Sequence, residues 1–151
     1  MSTTGEESTT PPAVEGSIEL ALRRTDGTFL DVGELRGHIV VLLVLATFDG
    51  PSQMTLRPLG HLVETIPDIE VIGIAAQPSA RLLVDAYEHA LQPPFPITYD
   101  PEETVAAGSS ALGPIEAIPT VVVLDRDGVE VGRHTGYCDD ACLGELLAPV
   151  N

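Results

Sequence analysis

His38-Ile39-Val40-Val41-Leu42-Leu43-Val44-Leu45 runs without a break into Ala46-Thr47-Phe48-Asp49-Gly50-Pro51-Ser52-Gln53, and the reading of that junction decides the fold. The first half is a run of β-branched residues and leucine without polar alternation. That is the pattern of a strand buried on both faces, and such strands belong to sheets covered by helices. The second half changes to helical punctuation: Asp49 is an N-cap residue, and Pro51 stands in a first turn, where a missing N–H is tolerated. A strand that ends on a helix N-terminus gathers unpaired N–H groups and the positive end of the helix dipole at one point, which favours an anion or a thiolate. Chemistry is expected there.

Upstream of the junction, Met1 to Gly16 is rich in Ser, Thr, Glu and Pro and reads as a disordered tail or linker. Ser17–Arg23 alternates as an edge strand, Thr25-Asp26-Gly27-Thr28 is a turn that returns it as a hairpin, and Asp31–Gly37 is a short helical turn. Downstream, a helix over Pro51–Thr65 carries Met54, Leu56, Leu59, Leu62 and Val63 as its apolar face, with a kink expected at Pro58. Ile69–Ala76 is a second buried strand. Ser79–Leu91 is a helix whose stripe is Leu82, Leu83, Ala86, Tyr87 and Ala90. Pro96–Tyr99 is a short strand, and Pro101–Ala107 a short helix with Glu102 and Glu103 at its N-terminus. Thr120–Leu124 is a further apolar strand, joined through Asp125-Arg126-Asp127-Gly128 to Val129–Thr135 as a hairpin, and Asp139–Leu147 is the last helix. Strands that alternate with helices and end in a hairpin define an α/β domain with a central mixed sheet flanked by helices, spanning residues 17–151.

The totals narrow the function. The chain has 151 residues, 44% of them hydrophobic, enough for one domain with a sizeable core. Its formal net charge is −16, and Lys and Arg together number 7, too few to neutralise a run of nucleic-acid phosphates or to favour an anionic membrane surface. No apolar run approaches the roughly 20 residues of a membrane helix, and no positively charged start with an apolar core marks a signal peptide. The chain as it stands reads as soluble.

Three segments carry a family resemblance. Glu34-Leu35-Arg36-Gly37-His38-Ile39-Val40-Val41 resembles the Leu-Arg-Gly-Lys lead-in of the redoxin branch of the thioredoxin-like superfamily, with His38 in place of the lysine. Ala-Thr-Phe-Asp-Gly-Pro-Ser at 46–52 resembles the Ala-Thr-Trp-Cys-Gly-Pro-Cys signature of thioredoxin-like active sites, and Ile118-Pro119-Thr120 with the following Asp-Arg-Asp-Gly hairpin resembles the cis-proline loop. The branch includes the extracytoplasmic thiol-disulfide reductases of the TlpA/ResA type and the alkyl hydroperoxide reductase/thiol-specific antioxidant group. The resemblance covers about residues 17–148 and implies a thioredoxin-like fold with an N-terminal β-hairpin extension. It also implies oxidoreductase ancestry and an extracytoplasmic setting.

The departures bear on activity. Asp49 and Ser52 stand where the resemblance puts the two cysteines, and Leu43 stands at the position of a buried acid or amide. Thiol-disulfide exchange needs an attacking thiolate and a resolving thiol, which a carboxylate and a hydroxyl cannot replace. Reading Thr47 as a peroxiredoxin threonine puts Gly50 in the place of the cysteine. Asp49 and Ser52 are therefore read as helix-capping residues at a redox-inactive site; the alternative is that Asp49 binds a cation or acts as a general base. The resemblance assigns substrate-peptide contacts to Ile118, Pro119 and Thr120, and the facing loop adds Phe48, Gly50 and Pro51 as peptide-binding candidates.

The only cysteines are Cys138 and Cys142. At i and i+4 of one regular helix their Cβ atoms would lie too far apart to bridge, so a disulfide requires Cys138 outside the helix, as a cap. Three readings stand: Cys142 as a small core residue with Cys138 as a cap or surface residue, a structural or redox-active disulfide, and a metal site with His134. The spacing matches no zinc signature. His61 and His89 are read as solvated. The function expected from the whole is a non-catalytic module that binds a protein or extended peptide in the groove beside the proline loop, with no cofactor or metal, no nucleic acid and no membrane insertion. The alternative is a thiol-disulfide oxidoreductase or antioxidant that uses Cys138 and Cys142.

Overall fold

The computed structural model describes residues 13–150, so the expected disordered tail lies, through residue 12, outside the described residues. Seven strands form one mixed sheet: β1 (Ala21–Arg23), β2 (Phe29–Asp31), β3 (Ile39–Leu45), β4 (Ile69–Ala75), β5 (Ile97–Tyr99), β6 (Thr120–Leu124) and β7 (Glu130–Thr135). Their order across the sheet is β2-β1-β5-β4-β3-β6-β7. Strands β3, β4 and β5 run parallel, while β6, β7 and the β1–β2 hairpin are antiparallel to their neighbours. Among the described residues four α-helices complete the fold, α1 (Gly50–Thr65), α2 (Ala80–Leu91), α3 (Thr104–Ala107) and α4 (Asp140–Leu147), with short 3-10 turns at Val32–Leu35 and Ala148–Val150.

Every residue of β3 is buried, as the unbroken apolar run requires. Its alternate residues face two cores. Ile39, Val41, Leu43 and Leu45 pack with Leu56 and Leu59 of α1, Val84 and Tyr87 of α2, and Leu143 and Leu147 of α4. Val40, Leu42 and Val44 pack on the other face with Leu22, Leu30, Val105 and Leu112. Gly73 of β4 is a close approach: a Cβ there would sit 2.6 Å from Ile97 Cδ1 and 3.1 Å from Leu45 Cδ2, so glycine leaves the room that these side chains fill.

Several expectations are corrected. Ser17–Arg23 is not an edge strand: only Ala21–Arg23 is extended in the sheet, and it lies between β2 and β5, with Ser17 making a single bridge to Val129. On α2, Leu82, Leu83, Ala86 and Ala90 are exposed, while Val84 and Tyr87 are buried. The rotation is fixed by Glu88, whose carboxylate accepts the Ile97 N–H at 3.0 Å and the Thr25 hydroxyl at 2.9 Å, turning the adjacent Tyr87 and Val84 toward the sheet. On α1, Met54 and Val63 are exposed and Thr55 and Pro58 are buried; the helix continues through Pro58.

The short helix begins at Thr104, so Glu102 and Glu103 stand ahead of its first turn, with Glu103 at the N-cap position. Glu103 has a left-handed backbone and makes no side-chain cap bond. Asp100 does the work: its carboxylate accepts the Glu102 and Val105 N–H groups, each at 3.0 Å, and the Thr104 hydroxyl. Burial raises the Asp100 pKa, but these hydrogen bonds outweigh it and hold the carboxyl below its ordinary value. A lowered folded-state pKa stabilises the fold above the unfolded value of about 3.9 and loses that contribution as pH falls through the folded value. Urea midpoints are therefore expected to fall for the wild type as pH drops from about 4 toward the lowered pKa, and to fall less over that window for Asp100→Asn.

Candidate functional site

The β3–α1 junction is built by side chains that hold its own backbone. Asp49 is the N-cap of α1, with extended backbone at φ −98°, ψ 124°. Its Oδ2 accepts both the Ser52 N–H and the Ser52 hydroxyl, each at 2.8 Å. Ser52 Oγ accepts the Ala46 N–H at 3.4 Å, and Ser52 is fully buried. Asp49 thus caps as read from sequence, whereas Ser52 is a buried linker inside the first turn. A hydroxyl shut off from solvent cannot reach a substrate, so the geometry disfavours Ser52 as a nucleophile. Among the described residues no group of three or more His, Cys, Asp or Glu side chains is placed to hold a metal ion.

Sequence reading missed the residue that positions the rest of the loop. Gln77, two residues past the end of β4 and 5% exposed, accepts the Thr47 N–H at 2.5 Å and donates to the Thr47 hydroxyl at 2.9 Å. Gln53 donates to the Thr47 carbonyl at 3.2 Å. A polar residue just past an apolar run was the available signal. Held in this way, the loop presents Phe48, 77% exposed, together with exposed Gly50 and Pro51.

The facing wall is the segment before β6. The Ile118–Pro119 peptide bond is cis. The antiparallel pairing of Val44 with Thr120 puts Ala46, just after β3, and Ile118, just before β6, at the same end of the sheet, so the two loops adjoin. Pro119 C=O accepts the Gly136 N–H at 2.7 Å, and the Thr120 hydroxyl donates to Ala117 C=O at 2.7 Å. Neither the N–H nor the C=O of Ile118 forms a hydrogen bond within the described residues. Gly136 leads into Tyr137, 42% exposed, which shares a cavity of about 210 Å³ with Met54, His61 and Asp140. Neither Tyr137 nor Met54 is among the expected site residues, and Met54, expected on the apolar face of α1, is exposed.

Cys138 and Cys142 form a disulfide, with Cα atoms 5.3 Å apart. The geometric condition is met because Cys138 precedes the N-cap Asp139, whose carboxylate accepts the Cys142 N–H at 2.9 Å. The burial is the reverse of the core-and-cap reading: Cys138 is fully buried and Cys142 partly exposed, because Cys138 joins the core of α1 and α4. His134 lies on β7, and its Nε2 is 3.1 Å from Tyr137 C=O. A bridge across a separation of 4 residues is expected to contribute about 2 kcal/mol by restricting the unfolded chain. Cys142→Ser should lower the urea-derived stability by about that amount, and dithiothreitol should do the same to the wild type.

Comparison with known proteins places the fold. No family model matches the chain, and no curated protein matches it. Solved structures do. A thiol:disulfide interchange protein of the thioredoxin family from Chlorobium tepidum TLS superposes with a TM-score of 0.69 at 19% identity, over 95% of this chain and 99% of that one. MTB dsbF gives 0.72 at 18% identity, covering 95% and 100%. The exposed lipoprotein thioredoxin Etrx1 from Streptococcus pneumoniae gives 0.68 at 16%, covering 87% and 98%. The chain has the thioredoxin-like fold. Within that fold the expected N-terminal hairpin extends the sheet through the pairing of β1 with β5.

Proposed function

We propose that this protein is a non-catalytic peptide-binding module that holds an extended segment between Phe48 and the Ile118–Thr120 loop. The observation that supports the reading best is the unpaired backbone of Ile118, in the loop that adjoins the one exposing Phe48. An N–H and a C=O left open next to an apolar side chain suit main-chain pairing for affinity and a side-chain contact for selectivity. Asp49 and Ser52 take no covalent part: they bond to each other and hold the loop in place. The chain works outside the cytoplasm in this reading, a setting supported by the exposed lipoprotein among the structures it resembles.

The test uses alkylated insulin B chain as the extended peptide. Its titration should shift the amide resonances of Ile118 and Thr120 saturably. Phe48→Ala should weaken the affinity about tenfold, the effect of losing one well-placed aromatic contact. Peptide that binds equally well to Phe48→Ala, or that leaves the Ile118 amide unmoved, would overturn the reading. The disulfide favours a second reading, thiol-disulfide exchange through Cys138 and Cys142. An external thiolate would attack one sulfur, release the other as a thiolate and pass through a mixed disulfide. Cys142 is the member open to such attack.

A further inference from the structure

A second cavity, of about 310 Å³, opens at the carboxyl ends of the parallel strands β4 and β5, where α2 begins. Ligands of open α/β sheets enter crevices outside the carboxyl ends of strands. The donors there are concentrated and unused. Tyr99 is 8% exposed and lines the cavity, and its hydroxyl has no hydrogen-bond partner among the described residues. Arg23, paired across from Tyr99 in the sheet, has a buried Nε without a partner; its guanidinium carbon lies 4.1 Å above the centre of the Phe29 ring.

The start of α2 forms the adjoining wall. Its N-cap, Ser79, makes no side-chain cap bond, and the first intrahelical bond is Leu83 N–H to Ser79 C=O at 3.2 Å. The N–H groups of Ala80, Arg81 and Leu82 therefore remain for a ligand, with the positive end of a 12-residue helix behind them. Arg81 lines the cavity too, so two of the chain's seven basic residues meet here in a protein of net charge −16.

We infer that this cavity binds a small organic monocarboxylate, its oxygens taking hydrogen bonds from Tyr99, Arg23 and the first N–H groups of α2. A single negative charge is preferred to a double one because of the opposing groups. Asp100 and Glu103 also line the cavity, so its two arginines are matched by two carboxylates, and a dianion would bring excess negative charge. Asp100 is committed to Glu102, Thr104 and Val105, which leaves the arginines free of it. The site is separate from the peptide groove, but Gln77 belongs to both: it lines this cavity and holds Thr47.

The test is an amide-resonance titration of the full chain at constant ionic strength with N-acetylglycine, with a pentapeptide bearing a free carboxylate, and with inorganic phosphate. N-acetylglycine or the pentapeptide should shift the Ala80, Arg81 and Leu82 amides saturably, and which of the two binds tells a free acid from a peptide C-terminus. Tyr99→Phe and Arg81→Gln should each weaken that binding about tenfold with the rest of the spectrum unchanged. Arg23→Gln, which also loses the Phe29 contact, is read only if its spectrum remains that of the folded chain. No saturable shift at these amides up to about 10 mM carboxylate, ten times the millimolar Kd of weak binding, would overturn the inference. Phosphate binding as tightly as the carboxylates would overturn its charge assignment.

Discussion

Asp49→Cys combined with Ser52→Cys is expected to give a chain that reduces insulin disulfides, from a wild type with no turnover at this loop. An oxygen two bonds beyond the Asp49 Cβ lies 2.8 Å from an oxygen one bond beyond the Ser52 Cβ, so the two positions already face each other across the first turn of α1. A thiol at the N-cap position gains from the helix dipole, which lowers its pKa and raises the thiolate fraction. The second thiol resolves the mixed disulfide, so neither single variant should turn over. Loss of the Asp49 cap costs about 1 kcal/mol, which a folded domain withstands, and a thiol suits the buried position of Ser52. A folded double variant whose two new thiols remain free under oxidant would show that the loop lacks dithiol geometry.

Leu43→Ala is expected to be the most destabilising of the substitutions considered, at about 2–5 kcal/mol by loss of buried methyl groups and creation of a cavity. Leu43 is fully buried within β3, an interior strand, paired with Gly73 on one side and Val121 on the other. Gly73 has no side chain to move into the gap. On a domain of this size the change corresponds to a fall in Tm of roughly 6–15 °C. Leu82→Ala provides the contrast: Leu82 is 74% exposed on α2, and its truncation should leave the melting temperature nearly unchanged. Comparable losses at the two positions would contradict the burial of β3 and the rotation of α2.

These two leucines also show where the sequence was legible. A seven-residue apolar run this rich in β-branched residues and too short for a buried helix reads as a strand covered on both sides, so β3 and its two cores could be read directly. Hairpins marked by Asp-Gly turns were equally plain. Leu82-Leu83-Val84 puts three apolar residues side by side, so several helix faces are compatible with the pattern; the choice among them was made by Glu88, which reaches a strand nine residues later and a turn far upstream. No local period carries that information.

The site divides in the same way. Asp49 was legible as a cap because capping is local, three residues from donor to acceptor. Gln77 was not, because its bonds to Thr47 span 30 residues and depend on β3 lying beside β4. The disulfide was legible only as a geometric condition, that Cys138 stand outside α4. Its inward burial depended on the packing of α1 against α4.

The measurement that bears most directly on the central proposal is turnover, with insulin-disulfide reduction and peroxide consumption followed in parallel and free thiols counted before and after reductant, on the wild type and Cys138→Ser. The proposal predicts no turnover above background in either protein and a wild-type thiol count that assay substrates leave unchanged. Turnover by the wild type that disappears in Cys138→Ser would contradict it and establish the disulfide at the start of α4 as a working redox centre.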